Sequence, residues 1–357
     1  MTAVEARSPE EARTSRPSRF GGPSTRRGSI QAGVFLLVAL GLPFVLSSFW
    51  IQILTSVAIY SVVALSLAML MGRVGLVSLC QIALLAVGGW VALRLGFGTS
   101  LPFPLLVLAT GAITAVIGTL IGLPALRLSG LYLALITLMA AAAITQIIQA
   151  VNFPNGGPGF LGYSKDAAGS VAASVQRPDW LAADSAYYRA VVLVAALMFL
   201  VGVLHVRGRA GRAWAAIRQS EMAAVAAGVN VTLYKLWAFA LASFMTGVAS
   251  CLLAASTGGL TTYAFPAQDS ITLLAVVLMG GIYTFWGPIV AGVLFKLLPE
   301  ILKNWGLPPD LLTILFGIGV LQAMTTAPEG LAVQFPKDMA NLSRALSKRA
   351  GLAPRTQ

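Results

Sequence analysis

Apolar runs of about 17 to 25 residues, the length a helix needs to cross a bilayer core, recur from Val34 to Met324. Charges fall mostly in the gaps between them. The pattern predicts about ten spans, at residues 34–50, 51–71, 76–91, 101–123, 131–151, 188–206, 236–255, 271–281, 288–302 and 307–324. The third and eighth are short or broken by glycine.

The most informative polar interruption inside the apolar region runs from Arg207 to Lys235. Arg207, Arg209, Arg212 and Arg218 open it; Ser220 is placed to N-cap a short helix, with Glu221 in its first turn. Gly228, followed by Asn230, ends that helix after about two turns. Met222, Val225 or Ala226, and Val229 then share a small apolar ridge suited to a partner's groove. An ordinary arginine-rich loop on the positive side of a membrane is the alternative reading.

Composition agrees with the spans. At 57% hydrophobic and 10% charged residues, with mean hydropathy +0.84, the chain lacks the polar surface of a soluble globule. Charge orients it. With an even number of spans both termini lie on one side, and that side collects eighteen of the 24 Lys and Arg, so both are expected to be cytoplasmic. Residues 1–31 read as a disordered basic cytoplasmic tail, 32–327 as the membrane domain and 328–357 as a second basic tail. Within the membrane domain, 152–187 is the extracytoplasmic loop and 207–235 the main cytoplasmic one. The formal net charge of +12 is thus largely a topology signal answered by lipid headgroups, and no folded basic and aromatic surface for nucleic acid is present.

Several chemistries lack their residues. Cys80 and Cys251 lie inside spans as small apolar groups, no metal-ligand spacing occurs, and His205 sits at a span end beside the arginines. No Gly-Lys dipeptide exists, so no P-loop can be drawn, and neither paired intramembrane aspartates nor an HExxH is present. Of twelve acidic residues only Glu300 falls clearly within a span, with Asp269 and Asp310 at edges, a poor supply for an ion-coupled carrier. The chain reads as a conduit driven from elsewhere, not as an enzyme.

Four blocks carry a resemblance. They are GLVSLCQIALLAVGGW (75–90), GLPALRLSGLYLALITL (122–138), GRAWAAIRQSEMAAVAAGVNVTLYKLWAFALAS (211–243) and LLAVVLMGGIYTFWGPIVAGVLFKLLPEIL (273–302). In this order they resemble the permease subunits of branched-chain amino-acid ABC importers of the LivM type. The resemblance implies an all-α polytopic fold with ABC importer permease architecture in a prokaryotic inner membrane, its halves related as inverted repeats. It also implies a heterodimer with a second related permease, two cytoplasmic ABC ATPases and an extracytoplasmic solute-binding protein. No cofactor is bound by this chain; ATP and Mg belong to the ATPases. Arg218, Glu221, Met222, Ala223, Ala224 and Gly228 match the family's looser Glu-Ala-Ala and Gly pattern, the helix that couples to the ATPase.

The cargo side rests on fewer residues. Gln81, Thr145, Gln146 and Gln149 are candidates for a polar path or, alternatively, glue between helices. Glutamines stand where the family commonly has a carboxylate near the end of the fifth span, and Cys80 stands where it has glycine. Asn155, Gly156 and Gly157 match the family's Gly-Gly element at the start of the outer loop, a turn or a contact for the binding protein. Gly280, Gly281, Gly287 and Pro288 break the chain into a tight re-entry, serving close packing or a gate. Branched-chain or similar small apolar amino acids are the expected cargo; a urea or short-amide importer and an ion-coupled secondary transporter are the alternatives.

Overall fold

The computed structural model describes residues 25–125, 130–150, 174–261 and 264–304, with a few positions between 306 and 334. The chain divides into two compact units, Met1–Val45 and Leu46–Gln357. The first holds α1 (Thr25–Gly41), which begins inside the stretch expected to be a tail, and a 3-10 turn at Leu42–Phe44. Pro43, with its fixed φ and no N–H, stands in that turn, and Ser47 opens the next helix. The apolar run 34–50 is therefore not one continuous helix.

The second unit contains α2 (Ser48–Met69), prolonged by a π turn at Leu70–Val74, then α3 (Gln81–Gly98), α4 (Phe103–Ala125) and α5 (Leu131–Ala150). It continues with α6 (Asp184–Arg207), α7 (Arg209–Gln219), α8 (Glu221–Ala226), α9 (Val231–Thr257) and α10 (Gln268–Gly280). A last helix joins α11 (Gly287–Gly292), a second π turn at Val293–Leu297 and α12 (Leu298–Asn304). All regular structure among the described residues is helical. Six helices, α2 to α6 and α9, are long and apolar enough to cross a membrane, with shorter apolar helices at 30–44 and α10. The span expected at 307–324 lies mostly outside the described residues.

The third span is displaced from its expected limits. Gly75, at φ 85°, ends the π turn, and residues 75–80 run non-helically before α3 starts at Gln81. Leu76 and Leu79 are nonetheless buried, and the Leu79 N–H donates to Thr137 Oγ1 at 2.9 Å, so tertiary partners replace helical ones.

α2 and α9 form the centre. Both are buried almost throughout, and α9 packs on α2, α3 and α4. Lipid tails are as apolar as leucine, so close contact and hydrogen bonds, not water exclusion, must hold such helices together. The seam between α4 and α9 shows how. A Cβ on Gly111 would lie 2.8 Å from the Phe244 ring, one on Gly122 3.1 Å from Phe239, and one on Gly247 2.6 Å from Thr114 Cβ. Ser66 Oγ meets Thr246 Oγ1 at 3.0 Å, tying α2 to α9. Outward, Leu193, Leu197, Leu200 and Leu204 of α6 stand exposed at helical spacing, a stripe fitted to lipid.

At the end of the bundle remote from α8, Arg177 fastens the segment before α6. Its guanidinium donates to Ala255 O at 2.9 Å and Ser256 O at 2.7 Å, capping the orphan carbonyls of α9, and pairs with Asp184 at 2.7 Å.

Candidate functional site

The interruption at 207–235 folds as two short helices and the start of a third. α7 is amphipathic: Ala213, Trp214 and Ile217 are buried, while Arg212 and Arg218 lie on the exposed side. Trp214 is anchored by its indole N–H, which donates to Tyr234 O at 2.9 Å. This helix was absent from the sequence reading, although its apolar residues at i, i+1 and i+4 carried the signal.

α8 forms for the reasons its sequence gives. Ser220 Oγ accepts from the Ala223 N–H at 3.3 Å, as an N-cap should. Gly228, at φ 79°, lets the chain turn so that the Val229 N–H reaches Ala224 O at 2.9 Å, which closes the helix with a Schellman pattern. Asn230 belongs to the following helix instead: its Oδ1 accepts from the Leu233 N–H at 3.1 Å as the N-cap of α9.

Only Ala224 of α8 is buried. Met222 is 82% exposed and Val225 59%, and Ala223 and Ala226 are open beside them. A helix this short cannot stand alone, so it is held from behind. Glu221 Oε1 accepts from Lys235 Nζ at 2.7 Å, which pairs a half-exposed carboxylate with a lysine that is only 4% exposed. Glu221 thus works inside the chain. Replacing it with alanine is expected to cost about 1–2 kcal/mol, toward the low end for a buried charge left unpaired because water reaches the carboxylate. Adding Lys235→Met should restore most of the loss, and thermal midpoints of the single and double variants measure the cycle.

Arg218, three residues before Glu221, ties this region to two others. Nη1 donates to Gly72 O at 2.7 Å, in the π turn after α2, and Nη2 to Tyr283 Oη at 2.8 Å, with the guanidinium 4.7 Å from that ring's centroid. Arg73 reaches the same turn, donating to Tyr283 O at 3.0 Å with its guanidinium 5.3 Å from the Phe285 centroid.

That turn holds the predicted helix break. α10 ends at Gly280, Gly281 follows at φ 107°, and Gly287 and Pro288 begin α11. Gly280 and Gly287 bring their backbones together: a Cβ on either would strike the carbonyl of Gly287 or Gly281. Close approach is what these glycines provide here.

The candidate path residues are dispersed. Gln81 is buried, its Oε1 accepting from Thr246 Oγ1 at 2.8 Å, an arrangement that joins α3 to α9. Thr145 is buried and donates to Ala141 O at 2.9 Å, whereas Gln146 is exposed and Gln149 half-buried on α5. Asn155, Gly156 and Gly157 lie outside the described residues. Among the described residues no three His, Cys, Asp or Glu gather as a metal site.

The model of the family described as branched-chain amino acid transport system / permease component matches residues 49–324, from the first turn of α2 to beyond α12. The chain belongs to this family. Two curated relatives are the high-affinity branched-chain amino acid transport system permease proteins LivM of Salmonella typhimurium and Escherichia coli. Each is 28% identical over 331 residues, covering 86% of this chain and 76% of the relative. Among solved structures none matches. The α7–α8 region and the Gly280–Pro288 turn both fall inside the matched range, so they belong to the permease component itself. With six apolar helices of spanning length, this branched-chain permease family member is a multi-pass membrane protein.

Proposed function

We propose that the chain is the substrate-conducting permease subunit of an ATP-driven importer for branched-chain or similar small apolar amino acids, and that α8 docks in a cytoplasmic ATPase. The supporting observation is α8 itself, an apolar surface helix that turns Met222 and Val225 outward while the Glu221–Lys235 pair holds it from behind. Small residues at Ala223, Ala226 and Gly228 allow a partner's cleft to approach closely. An apolar ridge at the arginine-rich end of the bundle has little value in water but suits a protein groove.

On this reading both termini are cytoplasmic, in the inner membrane of a prokaryotic cell. A second related permease completes the pathway, two ATPases supply ATP and Mg chemistry, and a solute-binding protein delivers cargo at the opposite face. Asn155, Gly156 and Gly157 begin the loop that meets the binding protein. The relatives' name as branched-chain amino acid transport permeases supports the cargo. The chain's own lack of a P-loop sequence supports an external motor.

Copurification from native membranes tests the docking. Met222→Asp with Val225→Asp leaves the Glu221–Lys235 pair in place, and ATPase recovery should fall at least about tenfold, equivalent to about 1.4 kcal/mol of lost contact. The second permease should still copurify. Wild-type chain active in uptake, yet isolated without any P-loop ATPase, would overturn the reading.

A further inference from the structure

Lys296 interrupts the apolar run Val-Leu-Phe-Lys-Leu-Leu in the π turn between α11 and α12. Gly280 and Gly287 meet at one end of the bundle, and from there Asp269 lies eleven residues back along α10 and Lys296 nine residues on. Helical rise puts them about 17 and 14 Å from that meeting point. Tyr60 lies at a similar distance, twelve residues before Gly72, whose backbone touches Ile282 in the same turn.

The three residues converge. Lys296 Nζ lies 4.2 Å from the Tyr60 ring centroid and 5.3 Å from that of Phe295, and those two rings stack at 5.1 Å. Lys296 and Asp269 are both half-buried, and α10, which carries Asp269, packs against both α2 and the π turn that carries Lys296. Yet among the described residues neither has an ion-pair partner within 4 Å. The other nearby carboxylate, Glu300, stands one turn beyond Lys296 and faces Lys303 at 3.9 Å.

Opposite charges left apart within an apolar bundle are costly. They are kept where they face a bundle interior or a wet cavity, not lipid. A π turn is also a frequent device at functional sites, since its extra residue re-aims the side chains that follow. We infer that Lys296, Asp269 and Tyr60 form a charge-paired subsite in the translocation path that receives the head of a zwitterionic α-amino acid. Its carboxylate meets Lys296, which the Tyr60 ring holds in place, and its ammonium meets Asp269. The inference rests on the permease reading and narrows its cargo, because urea or a short amide has no use for two opposed full charges.

The test is direct binding of labelled leucine to the full chain, purified with its companion subunits and without added binding protein. Leucinamide, lacking the carboxylate, and 4-methylpentanoate, lacking the ammonium, are the competitors. Leucine should bind, and each analogue should compete at least about tenfold more weakly. Lys296→Met and Asp269→Asn should each lower leucine binding by a similar factor, while Lys296→Arg keeps most of it. Elution volume should not change, since each substitution removes charge at nearly constant volume, and Lys296→Arg controls for any shift in thermal midpoint. Equal leucine binding by wild type and both neutral variants overturns the inference. So does a wild type that binds urea but not leucine. ATPase recovery in the same preparation judges the importer reading separately, since its loss sinks that reading and leaves the leucine result standing.

Discussion

Gly287→Ala is expected to leave almost no monodisperse protein in detergent extracts. The added methyl would lie on the carbonyl of Gly281, and the facing Gly280 is equally tight, with Ala291 N 3.2 Å from its own Cβ position. A flexible side chain can swing away from such a clash; backbone on both sides cannot. The cost is expected to exceed about 3 kcal/mol, beyond ordinary overpacking of a core, because both helix ends must separate. Size-exclusion of a fluorescently tagged chain measures it. Gly98→Ala is the control, since nothing lies within 4 Å of that position, and its midpoint should match wild type to about 0.5 kcal/mol. A Gly287→Ala protein with wild-type midpoint would show slack in the turn.

Arg218→Ala is expected to separate motor binding from transport. The side chain spans from the α7–α8 junction to Gly72 O and Tyr283 Oη, and it lies outside the Met222–Val225 ridge. ATPase subunits should therefore still copurify while uptake falls at least about thirtyfold, the equivalent of about 2 kcal/mol from two charge-assisted hydrogen bonds. Arg218→Lys should recover only part of the loss, because one ammonium cannot serve both acceptors or stack on the Tyr283 ring in the same way. Wild-type uptake by Arg218→Ala would show that transport does not need the Arg218 bonds to Gly72 O and Tyr283 Oη.

The features most legible in the sequence were those governed by local rules. Ser220 caps, Gly228 turns left-handed and Gly280 ends a helix because nearest-neighbour geometry demands it. Apolar length likewise located the spanning helices. Where neighbours distant in sequence decided the outcome, the reading slipped. Residues 76–80 are as apolar as a helix, yet Thr137 on α5 accepts the Leu79 N–H and holds them out of one. Lys235 counted only as a positive-side charge, although it is buried beneath Glu221. Lys296 was open to view, a lysine in the middle of a predicted span, but its meaning came from Tyr60, far away in the chain. α7 was obscured by its arginines, which drew attention to charge instead of to the period of Ala213, Trp214 and Ile217.

The two π turns, Leu70–Val74 and Val293–Leu297, also change how these helices can be compared with others. Each holds one residue more than an α turn, so a count at 100° per residue carried past Val293–Leu297 into α12 is out of phase by about 100°. A helical wheel drawn through Val293 as though the helix were uniform would assign Glu300 and Leu302 to the wrong sides. In an alignment, the turn at Val293–Leu297 is therefore a place where a relative one residue shorter, running on as plain α-helix, keeps both the helix axis and the facing of the residues beyond it. Length, and not phase, is what such a gap would alter.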